Sequence, residues 1–87
     1  MKVLDIKNVF RKDIPIYYRR LYTAVAVVEF VVKPEEIPLD FMLEHLPTGH
    51  VEITLFLPEK LDYPLVPLQK ELKNFISAMD GEGKLPT

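Results

Sequence analysis

Glu44, His50 and Glu52 are the residues of this 87-residue chain whose types and spacing come nearest to a reaction centre. They flank Pro47-Thr48-Gly49. Proline suits the first central position of a type I turn, and glycine can take the left-handed conformation of a three-residue hairpin loop. A hairpin closed there would set Leu46 opposite His50, Glu44 opposite Glu52 and Phe41 opposite Leu55. Two carboxylates and an imidazole would then share one solvent side, with Asp40 further along it, a donor set suited to a divalent metal. Like charges directly opposite one another are costly, so the pair calls for a metal, a Lys or Arg from elsewhere, or a raised carboxyl pKa. Exposed sheet faces carry such charges routinely, which ranks this reading, a small metal-dependent enzyme, last of three. His45, on the opposite face near the loop, reads as a rim residue packed against Val51.

A second constellation is Tyr17, Tyr18, Arg19, Arg20 and Tyr22, with Tyr17, Arg19 and Arg20 the candidate nucleic-acid contacts. Aromatics interleaved with arginines on a strand can stack bases and meet phosphates. Against this, Tyr18 and Tyr22 fall on the face assigned to the core, the pI of about 5.6 is acidic, and no nucleic-acid-binding signature is present. Tyrosines at the wet edge of a subunit interface explain the same pattern.

Other chemistry finds little to use. Ser77 is the only serine and lies on the polar side of a helical pattern, with no His/Asp arrangement near it. Gly49, Gly81 and Gly83 make neither a dinucleotide fingerprint nor a phosphate loop. The absence of Cys removes disulfides, thiolate ligands and a thiol nucleophile together. The reading leans away from an enzyme, and no cofactor is implied.

The elements that position these residues start with residues 14–33, IPIYYRRLYTAVAVVEFVVK, almost all aromatic or β-branched. From Tyr22 onward both pleat faces are apolar, since Val25 and Val27 point opposite to Ala24, Ala26 and Val28. An unbroken strand here would be about three times the usual length, so a bend is expected between Arg19 and Thr23. Before it, residues 3–10 read as a half-buried strand with Leu4, Ile6 and Phe10 facing the core. Residues 11–15 form the turn between the two.

Lys33-Pro34-Glu35-Glu36 reads as a loop. Then Ile37, Leu39, Phe41 and Leu43 alternate with polar positions, as do Val51, Ile53, Leu55 and Leu57, so both strands of the hairpin bury odd-numbered residues. A helix over residues 39–46 is the rival. The three prolines of residues 58–67 mark a connector, with Leu61, Tyr63 and Leu65 able to pin it to the core edge. Pro67 suits a first helical turn. Leu68, Leu72, Phe75, Ile76 and Met79 form the apolar stripe of the helix, Gly81 is a natural stop, and residues 81–87 read as a flexible tail.

Composition bounds the rest. Hydrophobic residues make up 48% and charged ones 28%, as in ordinary globular domains. The longest uncharged apolar run, residues 21–28, is far short of the roughly 20 residues of a membrane span. No signal-peptide pattern opens the sequence, so a cytoplasmic, non-membrane protein is expected. Net charge is −2, yet residues 1–33 carry +4 and residues 34–87 carry −6. Such asymmetry suggests an anionic partner or mutual neutralisation of the halves within one sheet or between subunits.

The sequence therefore predicts one α+β domain over residues 1–80. Its four-stranded, mainly antiparallel sheet has a long central strand, and the C-terminal helix packs on one face. Tyr17, Leu21, Val25 and Val27 would be left as an apolar patch that monomers seldom expose. A homodimer burying that patch is the leading expectation, and a self-associating protein-interaction or scaffold module the leading function.

Overall fold

The computed structural model describes residues 2–59, 61 and 63–86. Four strands, β1 (Lys2–Lys12), β2 (Arg19–Glu29), β3 (Pro34–His45) and β4 (Val51–Phe56), form one antiparallel sheet in the order β1-β2-β3-β4. The helix α1 (Leu65–Gly81) lies on one face and contacts β1 and β4. Thr87, the end of the expected tail, lies outside the described residues, as do Lys60 and Asp62 of the connector.

The inner face follows the odd-even pattern over β2 and β3. Tyr22, Ala24, Ala26 and Val28 alternate with Ile37, Leu39, Phe41 and Leu43 across the ladder, and all are buried. Leu68, Leu72 and Ile76 of α1 are fully buried against them, each burial contributing roughly 1.5–3 kcal/mol. Phe75 and Met79 complete the stripe from half-buried positions. The small side chains of Ala24 and Ala26 leave room for the helix in the middle of the face. The Tyr22 and Phe41 rings, partners in register, stack at 5.1 Å.

The hairpin register is the one the sequence predicts. Glu44 pairs with Glu52 and Phe41 with Leu55, and the Leu46 N–H donates to the His50 carbonyl at 2.8 Å. Gly49 has φ 91° and its N–H donates to the Leu46 carbonyl, closing the turn with the left-handed residue it needs.

Several expectations are corrected. The long strand is shorter at both ends: Tyr17 and Tyr18 belong to a turn in which the Arg19 N–H donates to the Ile16 carbonyl, and residues 30–33 form the turn into β3. Pro15, without a donor, stops the ladder at the first end. β3 already begins at Pro34, inside the stretch that reads as a loop. Because β4 reaches only to Asp40, β3 is an edge strand at Pro34 and Pro38, where proline is tolerated.

The irregularity expected in β2 lies in β1 instead. The β2–β3 ladder is continuous from Arg19 to Glu29, whereas β1 shifts register between Val3 and Asp5 and again between Lys7 and Phe10. Asn8 sits at φ 53°, a left-handed conformation that asparagine tolerates better than most residues. The two shifts turn Leu4 and Phe10 away from the core and bury Val3 and Ile6.

The tail is corrected as well. The left-handed stop is Gly83 (φ 69°) and not Gly81, with Lys84 N–H donating to the Met79 carbonyl. Leu85 then returns to the core at 6% exposure, and the Tyr22 hydroxyl donates to the Pro86 carbonyl at 2.7 Å. Leu61 and Tyr63 pack on the core edge as expected, while Leu65 is exposed. Among the described residues no helix is long and apolar enough to cross a membrane.

Candidate functional site

Alternation that buries the even residues of β2 and the odd residues of β3 must turn the others outward. Register fixes their neighbours. Across the outer face run Lys12, Leu21, Met42 and Thr54 in one row, and Phe10, Thr23, Asp40 and Phe56 in the next. Lys7, Val25 and Pro38 follow, then Asp5, Val27 and Glu36. At the other end Arg19, Glu44 and Glu52 make the last row. Among the described residues no helix or strand covers this face.

Its most exposed apolar groups are Phe10 at 65% and Phe56 at 50%. The three strand residues assigned to an interface, Leu21, Val25 and Val27, are on this face but half-buried. Two ion pairs explain the shelter. Lys7 reaches across β2 to Glu36 at 3.0 Å and Lys12 to Asp40 at 2.9 Å, so each lysine stem crosses a gap of about two strand spacings over β2. The Lys12 hydrogen bond, aided by one from Thr23 and opposed by burial, holds the Asp40 carboxyl below its ordinary pKa.

Tyr17, the fourth residue of that patch, is elsewhere. At 95% exposure it stands on the β1–β2 turn, its ring edge-to-face with Tyr18 at 5.7 Å. The two rings, with Glu44, His45, Leu46 and Pro47, line an open cleft of about 630 Å³ at the end of the sheet. Tyr18, expected in the core, is exposed here, and His45 lines the cleft as well as the rim.

Both arginines of the nucleic-acid reading are engaged by carboxylates. Arg19 meets Glu44 at 3.5 Å with its guanidinium 5.5 Å from the Tyr18 ring centre, and its Nε is buried without a hydrogen-bond partner. It is the cation that the facing pair Glu44 and Glu52 called for. Arg20 points to the helix side. Its guanidinium donates to Asp80 at 2.9 Å, to His45 Nε2 at 3.2 Å and to the Tyr22 hydroxyl at 3.3 Å. Burial opposes its charge, but Asp80 and Tyr22 outweigh that and raise its pKa above the ordinary value.

Glu44 and Glu52 face each other as expected, while His50 is exposed at the turn. Among the described residues no group of three His, Cys, Asp or Glu side chains is placed to hold a metal ion. Sequence reasoning missed Phe10 on the outer face, because nothing in NVF signals a left-handed Asn8. It also missed the Arg20–Asp80 contact, which joins residues 60 positions apart.

Fold and site together define a two-layer α+β module, an antiparallel sheet sealed by a helix on one face and open on the other. The chain belongs to the BB_0187 family, whose model it matches over residues 1–81. Nothing among the curated proteins or the solved structures matches it.

Proposed function

We propose that this chain is a small protein-interaction or scaffold module that self-associates, as a homodimer, through the outer face of its sheet. The observation that carries the reading is that face itself, where Phe10 and Phe56 stand exposed beside Leu21, Val25, Val27 and Met42 with no described segment of the chain laid across them. Burying such a surface is worth roughly 25 cal/mol per Å², and monomers rarely leave a contiguous one open. The straps from Lys7 and Lys12 cover the valines in part, and they leave both phenylalanines outside. The proposal assigns the protein no reaction, and its cytoplasmic setting suits a chain without cysteine.

Nucleic-acid binding by Tyr17, Arg19 and Arg20 has less support, since Arg19 and Arg20 each already pair with a carboxylate. A metal held by Glu44, His50 and Glu52 has less again, because Arg19 already answers Glu44. Light scattering across a concentration series tests the leading reading. A dimer is expected at high micromolar concentration, and Val27→Asp should dissociate it with the helix content unchanged. A native chain that stays monomeric at that concentration defeats it.

A further inference from the structure

The outer face divides by charge along its strands. β1 and β2 present Lys2, Lys7, Lys12 and Arg19 against Asp5 and Glu29, whereas β3 and β4 present Glu36, Asp40, Glu44 and Glu52 with no basic residue among those described. A second copy can stack on this face about one of two kinds of in-plane two-fold axis, since homodimer interfaces are isologous. An axis running across the strands lays each strand on itself. Lysines of β1 would then face lysines of β1, and the acids of β3 would face the acids of β3. That arrangement is repulsive throughout.

An axis parallel to the strands, between β2 and β3, has the opposite result. It exchanges β2 with β3 and β1 with β4 while keeping every row in place, so each outward residue of β2 comes over its own register partner in the second copy. Leu21 lies over Met42, Val25 over Pro38, Thr23 over Asp40 and Arg19 over Glu44. In the outer columns Phe10 lies over Phe56, the two most exposed groups of the face, because both belong to the row through Thr23 and Asp40. Aligned sheets stack about 10 Å apart and within about 30° of each other, which preserves these rows near the axis.

We infer that the partner for this face is a second copy of the chain, docked about a two-fold axis parallel to the strands between β2 and β3, with Arg19 over Glu44 and Phe10 over Phe56 of the other copy. The inference rests on the proposed self-association and adds its geometry. Arg19 is suited to the contact: its Nε is buried without a hydrogen-bond partner, and its pairing with Glu44 in the same chain is loose at 3.5 Å. A second carboxylate approaching from above would complete a charge-assisted hydrogen bond that one chain leaves unmade.

A charge swap tests the axis. In Arg19→Glu each two-fold contact sets Glu against Glu44, and in Glu44→Arg it sets Arg against Arg19. Each variant alone should therefore self-associate at least about tenfold more weakly than the native chain. An equimolar mixture should recover association as a heterodimer, in which every such contact joins opposite charges, and recovery shows that both variants are folded. The chain carrying both substitutions should dimerise as the native one does. Because no native cysteine interferes, a short bismaleimide should also join Lys12→Cys chains to Thr54→Cys chains in a mixture and neither to itself. Single variants that dimerise natively, or a mixture no stronger than its components, would overturn the axis while leaving self-association standing. A native chain that never dimerises would remove both.

Discussion

Arg20 in β2 and Asp80 in the last turn of α1 meet at 2.9 Å, and their contact fastens the end of the helix to the end of the sheet. The same guanidinium donates to His45 on β3 and to Tyr22, whose hydroxyl holds the Pro86 carbonyl. One cation thus ties two strands, the helix and the returning tail.

Asp80→Ala leaves the half-buried Arg20 charge without its carboxylate and should lower stability by about 1–3 kcal/mol, read as a shift in the urea midpoint at unchanged slope. Arg20→Lys should recover little of the native value, because an ammonium cannot reach three partners in a planar fork. A loss below a few tenths of a kcal/mol would assign this contact to the surface.

Leu85 separates a docked tail from a frayed one. Leu85→Ala should cost about 2–3 kcal/mol in chemical denaturation, since its side chain fills space against the core at 6% exposure. Deletion of residues 85–87 should cost at least as much, because the Tyr22 hydroxyl also loses its acceptor. No change in either variant would mean that the tail does not dock in solution.

Asp40 supplies the pH dependence. Its folded pKa lies below the ordinary 3.8, so it contributes stability above that value and the contribution is lost as pH falls through the lowered folded value. With its side chain more than a third exposed, the contribution is under about 1 kcal/mol and shrinks in salt. Asp40→Asn should therefore lower the urea midpoint slightly at pH 7, and the difference from the native chain should vanish near pH 2.

Asn8 tests the bulge. Asn8→Val forces a β-branched side chain to φ 53° and should destabilise by about 1–2 kcal/mol, whereas Asn8→Gly should be close to neutral. If valine were tolerated at no cost in thermal unfolding, β1 would be a regular strand with Phe10 turned inward.

The sheet, the helix and the 44/52 register were legible because each rests on a strong local rule. Residues 37–57 carry strict alternation around Pro47-Thr48-Gly49, and residues 68–79 carry a helical stripe with Pro67 at its start. Residues 14–33 misled because β-propensity has no term for Pro15 stopping a ladder upstream of Tyr17 and Tyr18. Phe10 misled because one left-handed residue inverts the faces of everything beyond it. Arg20 and Asp80 lie too far apart for periodicity to connect them. The candidate interface was correct for Leu21, Val25 and Val27 in placement on the outer face, and the sheltering lysines were invisible because they arrive from the neighbouring strand.

The two kinks in β1 and the six-residue length of β4 also decide what kind of assembly this chain can build. Ribbons that grow without limit need a straight border whose free amides and carbonyls can zip to the next molecule. Here one border is broken twice and the other is brief, so lateral growth into fibrils finds no template. Contact between molecules is left to the flat of the sheet, where each copy can be capped once and the assembly stops at a finite size.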